Sequence, residues 1–219
     1  MSNESDPITA SDTFDQVTAR DSSSVFKPSM VSLVVTQSDQ GGTNVMTAGW
    51  WMTAGYNPFR YMLGVGHHTY TYELLQDNPE FVLAAPTTDM VDALTLCGAV
   101  SGRDIDKISH LDLETRPATE LQVPLLADAA GNVECTVLDS FTFGNCTYYL
   151  GGVEAAHIRR DGLDGRIIKP ELNPLAYLGS DWKNPDDKEK HRYYLEFDAD
   201  NVSAYPGEDI LETIPDEQR

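Results

Sequence analysis

The sequence predicts a mainly β domain with short helices, arranged as an antiparallel barrel and not as a doubly wound parallel sheet. Strand-like segments follow one another through polar or glycine-containing turns. The helical segments are short and lie between strands as insertions, without the regular strand–helix alternation of a parallel sheet. Together these observations favour the antiparallel barrel.

The first half of the chain contains four predicted strands and one helix. The segment "MVSLVVTQ" (30–37) has apolar residues at alternate positions, and the turn "SDQGGT" joins it to "GGTNVMTAGW" (41–50) as a hairpin. The segments "YMLGVG" (61–66) and "EFVLAAP" (80–86) are typical of further strands. The intervening "TYELLQDN" (71–78) predicts a short helix.

Two helices are predicted next. Asp89 is placed to cap the first, which would end near Gly102. Its apolar face would comprise Met90, Val91, Leu94 and Cys97. Ser101 and Asp104 match the S-x-x-D capping pattern, which predicts a second helix through Lys107 and Ile108.

The second half of the chain contains a long predicted hairpin. The segment "VECTVLDSFTF" (133–143) would pair with "NCTYYLGGVEAAHI" (145–158) across a turn at Gly144. Alternation would place Val133, Cys135, Val137, Phe141 and Phe143 on one side of the first strand. One more strand is indicated at "YYLEFD" (193–198).

Composition divides the 219 residues into one domain and two flanking segments. Residues 1–24 are rich in Ser, Asp and Thr, which predicts a disordered acidic arm. Residues 25–180 form the predicted domain, and residues 181–219 a C-terminal extension.

The net charge restricts the partners. The chain has 35 acidic and 15 basic residues, a net charge of −20, and six lysines. A phosphate backbone needs a basic face, so nucleic acid is not expected as a partner. Acidic residues spread along the whole chain predict adaptation to a salt-rich cytoplasm of the halophilic archaeal kind, with an acidic mesophilic protein as the alternative.

No secretion or membrane signal is apparent. The N-terminus is polar and acidic, and no apolar run approaches membrane-spanning length. Cys97, Cys135 and Cys146 form no CxxC pair and are expected to be small buried side chains. These observations predict a cytoplasmic protein that does not bind membranes.

Several motifs of known chemistry are absent from the sequence. It contains no GxGxxG after a strand, no GxxxxGK[ST], no GxSxG and no HExxH. His67 and His68 are adjacent, so on a strand they would point to opposite faces and could not share a metal. No metal site is predicted.

Two segments remain as candidates for a ligand site. "TNVMTAGW" (43–50) offers small residues and free amides where a strand usually has bulky side chains, so a flat ligand could approach it. "SGRDIDK" (101–107) offers a helix N-terminus with Arg103 and Lys107 on one face, which suits a phosphate monoester. The alternatives are a strand covered by a partner subunit and a plain capped helix, and Asp104 and Asp106 would repel a phosphate that they faced.

The order of these segments resembles the flavin reductase-like, FMN-binding split-barrel family, which includes flavoredoxin. The resemblance rests on "VSLVVT", "GGTNVMTAGWW", "HHTYTYELLQDNPEFVLAAP", "CGAVSGRDIDK", "VECTV" and "LGGV", and covers about residues 25–180. It implies a six-stranded antiparallel split β-barrel that binds FMN noncovalently near the interface of a homodimer.

The resemblance also implies which residues bind the cofactor. The residues that would line the isoalloxazine ring and ribityl chain are Asn44, Met46, Thr47, Ala48, Gly49 and Trp50. Those that would hold or border the phosphate are Ser101, Gly102, Arg103 and Lys107. His68, Thr69 and Tyr70 correspond to a further loop near the flavin.

The implied function is that of an NAD(P)H-dependent flavin oxidoreductase. FMN would accept hydride from NADH or NADPH and pass electrons to free flavin or another acceptor, so no side chain is expected to act as an acid or base. One alternative is an FMN-binding electron carrier without turnover. Another is a relative that has lost the cofactor and acts as an interaction module.

Overall fold

The computed structural model describes residues 21–165, 167–180 and 192–196. The strands are β1 (Ser32–Gln37), β2 (Thr43–Ala48), β3 (Trp51–Tyr56), β4 (Phe59–Gly66), β5 (Glu80–Ala85), β6 (Thr115–Arg116), β7 (Leu125–Leu126), β8 (Gly131–Phe143), β9 (Cys146–Ile158), β10 (Leu163–Asp164), β11 (Ile167–Ile168), β12 (Leu175–Ser180) and β13 (Arg192–Glu196). The α-helices are α1 (Tyr70–Asp77), α2 (Val91–Cys97) and α3 (Lys107–His110). Three 3₁₀ helices cover Asp21–Phe26, Thr88–Met90 and Pro170–Leu172. No helix in these ranges is both long and apolar enough to cross a membrane.

The main sheet has seven strands in the order β2-β1-β5-β8-β9-β4-β3, and all its neighbouring pairs are antiparallel. Strands β2 and β3 are therefore its two edges. Nevertheless, the N–H of Gly64 in β4 donates to the carbonyl of Trp50 (2.8 Å), and Trp50 lies only two residues after the end of β2. The two ends of the sheet thus approach each other, as a barrel requires.

Two apolar cores lie on opposite faces of the sheet. One lies inside the barrel and draws side chains from six strands, among them Val34, Leu63 and Phe81. The other lies between β1, β2 and β5 and the α2 region, and includes Leu33 and Leu94. Because β1 contributes to both cores, its residues from Ser32 to Thr36 are all buried.

The predicted fold class, mainly β with a split-barrel architecture, is confirmed by this antiparallel sheet and by the similar structures reported below. The sheet has seven strands where the sequence predicted six. The strand without a predicted counterpart is β3, which lies just after the predicted segment 41–50. Strand β2 ends at Ala48, and Trp51 begins a new strand that pairs with β4.

The predicted hairpins and the first helix agree with the structure. β1 pairs with β2, β8 pairs with β9, and α1 occupies the predicted segment. The predicted alternation along β8 is wrong at its far end. A register shift between Val137 and Asp139 puts Phe141 and Phe143 on the face opposite to Val137. Both are exposed, as are all residues from 138 to 143.

The predicted ends of the helices after β5 are also wrong. Asp89 lies inside a 3₁₀ helix, α2 begins at Val91, and its C-cap is Gly98 instead of Gly102. α3 begins at Lys107 and is capped by Asp106, whose Oδ1 accepts from Ser109 N–H at 3.2 Å. Residues 101–106 therefore form a turn and not a helix.

The flanking segments lie largely outside the described residues. Of the predicted arm, residues 1–20 fall outside, whereas Asp21–Phe26 forms a 3₁₀ helix. Of the predicted extension only 192–196 is described, and it pairs with β12 as β13. The strand predicted at 193–198 is thus present in its described part.

Candidate functional site

A cleft of about 370 Å³ opens beside edge strand β2. Its walls come from β2, from the β4–α1 loop with the start of α1, and from the turn that follows α2. The lining residues are Asn44, Met46, Thr47, His68, Thr69, Tyr70, Thr71, Cys97, Gly98, Ala99, Val100, Ser101, Gly102 and Lys107. The two candidate segments of the sequence, near residues 44 and 101, thus meet in one cleft.

Asn44 presents an unused polar atom to this cleft. The residue is 4% exposed, and its Nδ2 donates to the hydroxyl of Thr71 at 3.0 Å. Its Oδ1 is buried without a hydrogen-bond partner among the described residues. A hydroxyl both donates and accepts, so the carboxamide can turn and offer either its oxygen or its N–H. A ligand could then hydrogen-bond to whichever of these two groups is not bonded to Thr71.

Gly102 faces that carboxamide at close range. A Cβ built on Gly102 would lie 2.1 Å from Oδ1 of Asn44 and 2.9 Å from the ring of Tyr70. Glycine therefore allows the turn to approach β2 and α1 without displacing either side chain. The backbone of the turn becomes part of the cleft wall.

Lys107 places a buried positive charge at the base of the cleft. The residue is 4% exposed, and Nζ donates to the carbonyls of Val45 (2.8 Å) and Cys97 (3.1 Å). An ammonium has three N–H donors, so one remains available. Among the described residues, no ion pair involves Lys107. A buried charge without a counter-ion is unfavourable, and an anionic ligand would compensate it.

Burial affects the pKa values of this lysine and of the neighbouring cysteine. Burial lowers the pKa of Lys107, while the nearby Cys97 acts in the opposite direction. Burial raises the pKa of Cys97 to about 11, although the charge of Lys107 opposes the shift. Cys97 is therefore a neutral thiol at pH 7, and it is buried and free, like Cys135 and Cys146.

Arg103 lies at the rim of the cleft and is already paired. Its Nε and one terminal nitrogen donate to both carboxylate oxygens of Glu73, at 3.1 and 2.7 Å. The other terminal nitrogen donates to the carbonyl of His68 (3.2 Å) and to Oγ of Ser101 (3.4 Å). Ser101 Oγ also accepts from Arg103 N–H at 3.2 Å, which leaves its own proton free to be donated. The pKa of Glu73 is lowered by its hydrogen bond to Arg103.

The predicted site residues do not all lie in the cleft. Eight of them line it: Asn44, Met46, Thr47, His68, Thr69, Ser101, Gly102 and Lys107. Ala48 is buried in the barrel core, and Gly49 and Trp50 line a separate cavity with Met52, Met62 and Tyr148. Arg103 borders the cleft, but it is not on one helical face with Lys107 because α3 begins at Lys107.

Two predicted residues have structural roles that the sequence did not indicate, and a third lies in a different element from the one expected. Thr69 is the N-cap of α1, with its Oγ1 accepting from Tyr72 N–H at 3.2 Å. The hydroxyl of Thr47 donates to the carbonyl of Leu94 at 2.6 Å. His68 lies beyond the end of β4 at Gly66, in a loop and not on a strand. The described residues contain no group of side chains that could hold a metal ion.

Two side chains that bond to predicted site residues were missed by the sequence reasoning. Thr71 bonds Asn44 from the first turn of α1, and Glu73 pairs with Arg103 from the same turn. Neither has a local signal, because each partner lies about 30 residues away in the chain.

A second cavity, of about 380 Å³, has a different character. Its walls are mainly apolar and include Val31, Trp51, Tyr61 and Leu83. Two of its polar residues are hydrogen-bonded within the chain, since Asn132 bonds Leu126 and His157 bonds Glu134. The cleft is the better candidate for a charged ligand because it contains an uncompensated cation.

Comparison with known proteins gives consistent matches over the described region. A family model, the flavin reductase-like domain, matches residues 26–184. A protein of Archaeoglobus fulgidus is 30% identical over 132 residues, which are 59% of this chain and 72% of that protein.

Solved structures are also similar to this chain over most of its length. Flavoredoxin from Methanosarcina acetivorans is similar with a TM-score of 0.67 and 27% identity, over 83% of this chain and 89% of that one. An FMN-binding protein from Thermus thermophilus, with bound 1-cyclohex-2-enone, has a TM-score of 0.68 and 21% identity over 83% and 92%. The latter similarity concerns the fold.

Proposed function

Because this chain belongs to the flavin reductase-like domain family, we propose that it is an FMN-binding oxidoreductase that transfers hydride from NADH or NADPH to flavin. The observation that carries the proposal is the buried Lys107 ammonium, which has no carboxylate partner among the described residues and shares the cleft with Asn44, whose Oδ1 has no hydrogen-bond partner there either. A flavin mononucleotide supplies a phosphate dianion for the first and polar ribityl or ring atoms for the second.

The phosphate end of FMN is assigned to Lys107, Ser101 and Gly102. Lys107 has one N–H donor left and Ser101 has its hydroxyl proton, both suited to a phosphate oxygen. Gly102 brings backbone into the wall where any side chain would collide with Asn44. A phosphate dianion beside Lys107 would favour the charged ammonium and so oppose the effect of burial on its pKa.

The ribityl and ring end is assigned to Asn44, Met46 and Thr47 on β2. Because β2 is an edge strand, one side of its backbone has no neighbouring strand in the sheet. Gly49 and Trp50, which line the adjacent cavity, extend this surface beyond Ala48. His68 and Thr69 would border the cofactor from the opposite loop.

Bound FMN would supply the redox chemistry, accepting a hydride from the nicotinamide and releasing electrons to a second acceptor. The chain would bind and orient the cofactor and exclude water from one side of it. No side chain is assigned as an acid or base. FAD in place of FMN is the alternative cofactor, and a non-catalytic electron carrier is the alternative function, supported by the 27% identity to flavoredoxin.

The visible spectrum of the purified protein tests this proposal. In molar KCl, we expect a yellow protein whose absorbance bleaches on addition of NADH or NADPH, with turnover when free FMN is supplied. A yellow protein inert to both nucleotides would instead establish the electron carrier. A colourless protein that FMN cannot reconstitute would contradict flavin binding altogether.

We also propose that the chain forms a homodimer. An apolar surface on the outer face of the sheet supports it, since Trp50, Met52 and Phe141 are 67%, 58% and 54% exposed. Large contiguous apolar surfaces are rarely left exposed on soluble monomers and commonly mark protein–protein interfaces. Sedimentation in high salt should give a dimer, and FMN bound near the interface should tighten it. A monomer that binds FMN tightly would contradict this.

The net charge of −20 supports a further proposal, that the protein works in a salt-rich cytoplasm. Repulsion among acidic groups increases as salt is removed, because it is then screened less and acts over longer distances. The unfolding midpoint should fall as KCl is lowered from molar to about 0.1 M. An unchanged midpoint over that range would argue for an ordinary acidic protein.

A further inference from the structure

The Glu73–Arg103 pair joins the two loops that bound the cleft. Glu73 lies in the first turn of α1, and Arg103 lies in the turn after α2. Through Arg103 the carboxylate is connected to the carbonyl of His68 on one loop and to Oγ of Ser101 on the other. We infer that this pair, here called the clamp, closes the phosphate end of the cleft and so selects a flavin mononucleotide over a flavin dinucleotide.

The contacts of Arg103 show that its guanidinium is committed to the clamp. Both carboxylate oxygens of Glu73 accept from it, and two further acceptors lie on the two loops. The guanidinium also lies over the ring of Tyr70, 5.6 Å from its centroid. Tyr70 lines the cleft and contacts the Gly102 position, so the clamp lies directly beside the proposed phosphate site.

The clamp has little value as a stabilising interaction. The side chains of Arg103 and Glu73 are 37% and 53% exposed. Exposed ion pairs contribute little to folding, so these contacts mainly fix where the guanidinium lies. By holding it between the two loops, Glu73 acts on the ligand through Arg103 and is a positioning residue.

The two flavin nucleotides differ at the end that the clamp closes. In FMN the phosphate is terminal, whereas in FAD the chain continues through a second phosphate to adenosine. A closed end accommodates the terminal phosphate but obstructs the continuation. Without Glu73 the guanidinium would be free to move aside and to contact the second phosphate.

This inference rests on the proposed function and is tested by binding, not by turnover. Affinities for FMN and FAD are measured by quenching of flavin fluorescence, in one KCl buffer, for the natural protein, Glu73→Ala, Arg103→Ala and the double variant. We expect the natural protein to prefer FMN by about tenfold or more. Glu73→Ala should reduce that preference about tenfold, because one charge-assisted contact becomes available to FAD.

The ratio of the two affinities separates the clamp from simple charge effects. Removing any carboxylate makes the protein less negative and so strengthens the binding of both anionic ligands. The FMN:FAD affinity ratio changes only if the end of the cleft opens. Glu114→Ala is the matched control, since Glu114 pairs with Arg116 at similar exposure and does not line the cleft. In the Arg103→Ala background, Glu73→Ala should have no further effect on the ratio if it acts through Arg103.

The possible outcomes are distinct. An FMN:FAD ratio unchanged by Glu73→Ala, or changed equally by Glu114→Ala, would overturn the clamp while leaving flavin binding intact. A ratio near one in the natural protein would overturn it too. A natural protein that binds neither flavin would refute the proposed function and this inference with it.

Discussion

Two polar sites in this protein, the one around Glu134 and the cleft beside β2, differ in whether the chain itself provides hydrogen-bond partners for their polar groups. Glu134 is fully buried, and its Oε1 accepts from Thr119 N–H (2.9 Å) and from Nε2 of His157 (2.6 Å). Its Oε2 accepts from the N–H groups of Glu120 (2.8 Å) and Leu121 (3.0 Å). Every partner comes from within the chain.

The cleft beside β2 is incomplete by comparison. Lys107 is almost as buried as Glu134, yet its contacts are neutral carbonyls and its charge has no opposing group among the described residues. Oδ1 of Asn44 lacks a partner as well. Buried polar groups are normally satisfied. The difference supports the proposal that the cleft receives a ligand, whereas the Glu134 carboxylate is already hydrogen-bonded within the fold.

The largest expected effect is on the free energy of unfolding, at the Glu134 site. Glu134→Ala would leave three backbone N–H groups without their acceptor in a buried place. We expect it to lower the free energy of unfolding by about 3–5 kcal/mol, measured by urea denaturation in constant KCl. Glu114→Ala, at an exposed ion pair, should change it by less than about 0.5 kcal/mol. Similar losses in both variants would remove the structural role assigned to Glu134.

The contribution of Glu134 should also depend on pH in a defined direction. Burial alone would raise its pKa, but the N–H groups of residues 119–121 and His157 together lower it below its ordinary value of 4.5. A lowered folded pKa means that the stabilisation is present above about pH 4.5 and is lost as the pH falls through the folded value. The stability difference between the natural protein and Glu134→Ala should therefore shrink in acid.

An intermediate effect is expected at the cation of the cleft. Lys107→Ala, and Lys107→Met with its similar volume, should weaken FMN binding by roughly ten- to a hundredfold, about 1.5–3 kcal/mol, because a charge-assisted contact is lost. Riboflavin, which lacks the phosphate, should be affected much less. Titration of both ligands in one molar KCl buffer measures this.

A control variant makes the Lys107 result interpretable. Lys27→Met removes a lysine whose Nζ bonds Ser29 outside the cleft, and it should affect neither ligand. Loss of Val45 and Cys97 contacts could disturb β2, in which case both ligands would weaken equally. No weakening of FMN binding in either Lys107 variant would place the phosphate elsewhere.

The smallest effect is expected at Asn44. Asn44→Ala removes one hydrogen bond to Thr71, so the free energy of unfolding should fall by only about 1 kcal/mol. FMN affinity should fall by roughly three- to tenfold because the ligand loses a partner. Thr71→Val, which breaks the same bond but keeps the carboxamide, is the matched control for stability. If Asn44→Ala cost as much stability as Glu134→Ala without weakening FMN, the distinction between the two sites would fail.

Much of the sheet could be predicted from the sequence because its signals are local. The alternation in 30–37 and the polar turn after it predict the β1–β2 hairpin, and the turn at Gly144 predicts the β8–β9 hairpin. Strand β3 could not be predicted in this way. Its side chains are largely exposed, so no alternation marks it, and it is defined by pairing with β4.

The sequence by itself determined the order of the elements and brought two short segments, near residues 44 and 101, to notice as a possible ligand site. Their meeting in one cleft, and the roles of Thr71 and Glu73, were decided by tertiary structure. The helix ends near the site show why. The sequence predicted Asp89 and Ser101 as caps, whereas Asp106 caps α3, and a cap contributes only about 1 kcal/mol. Local preferences of this size are too small to decide at which residue a helix begins. Long-range contacts, such as that of Lys107 Nζ with the Val45 carbonyl, decide where α3 begins.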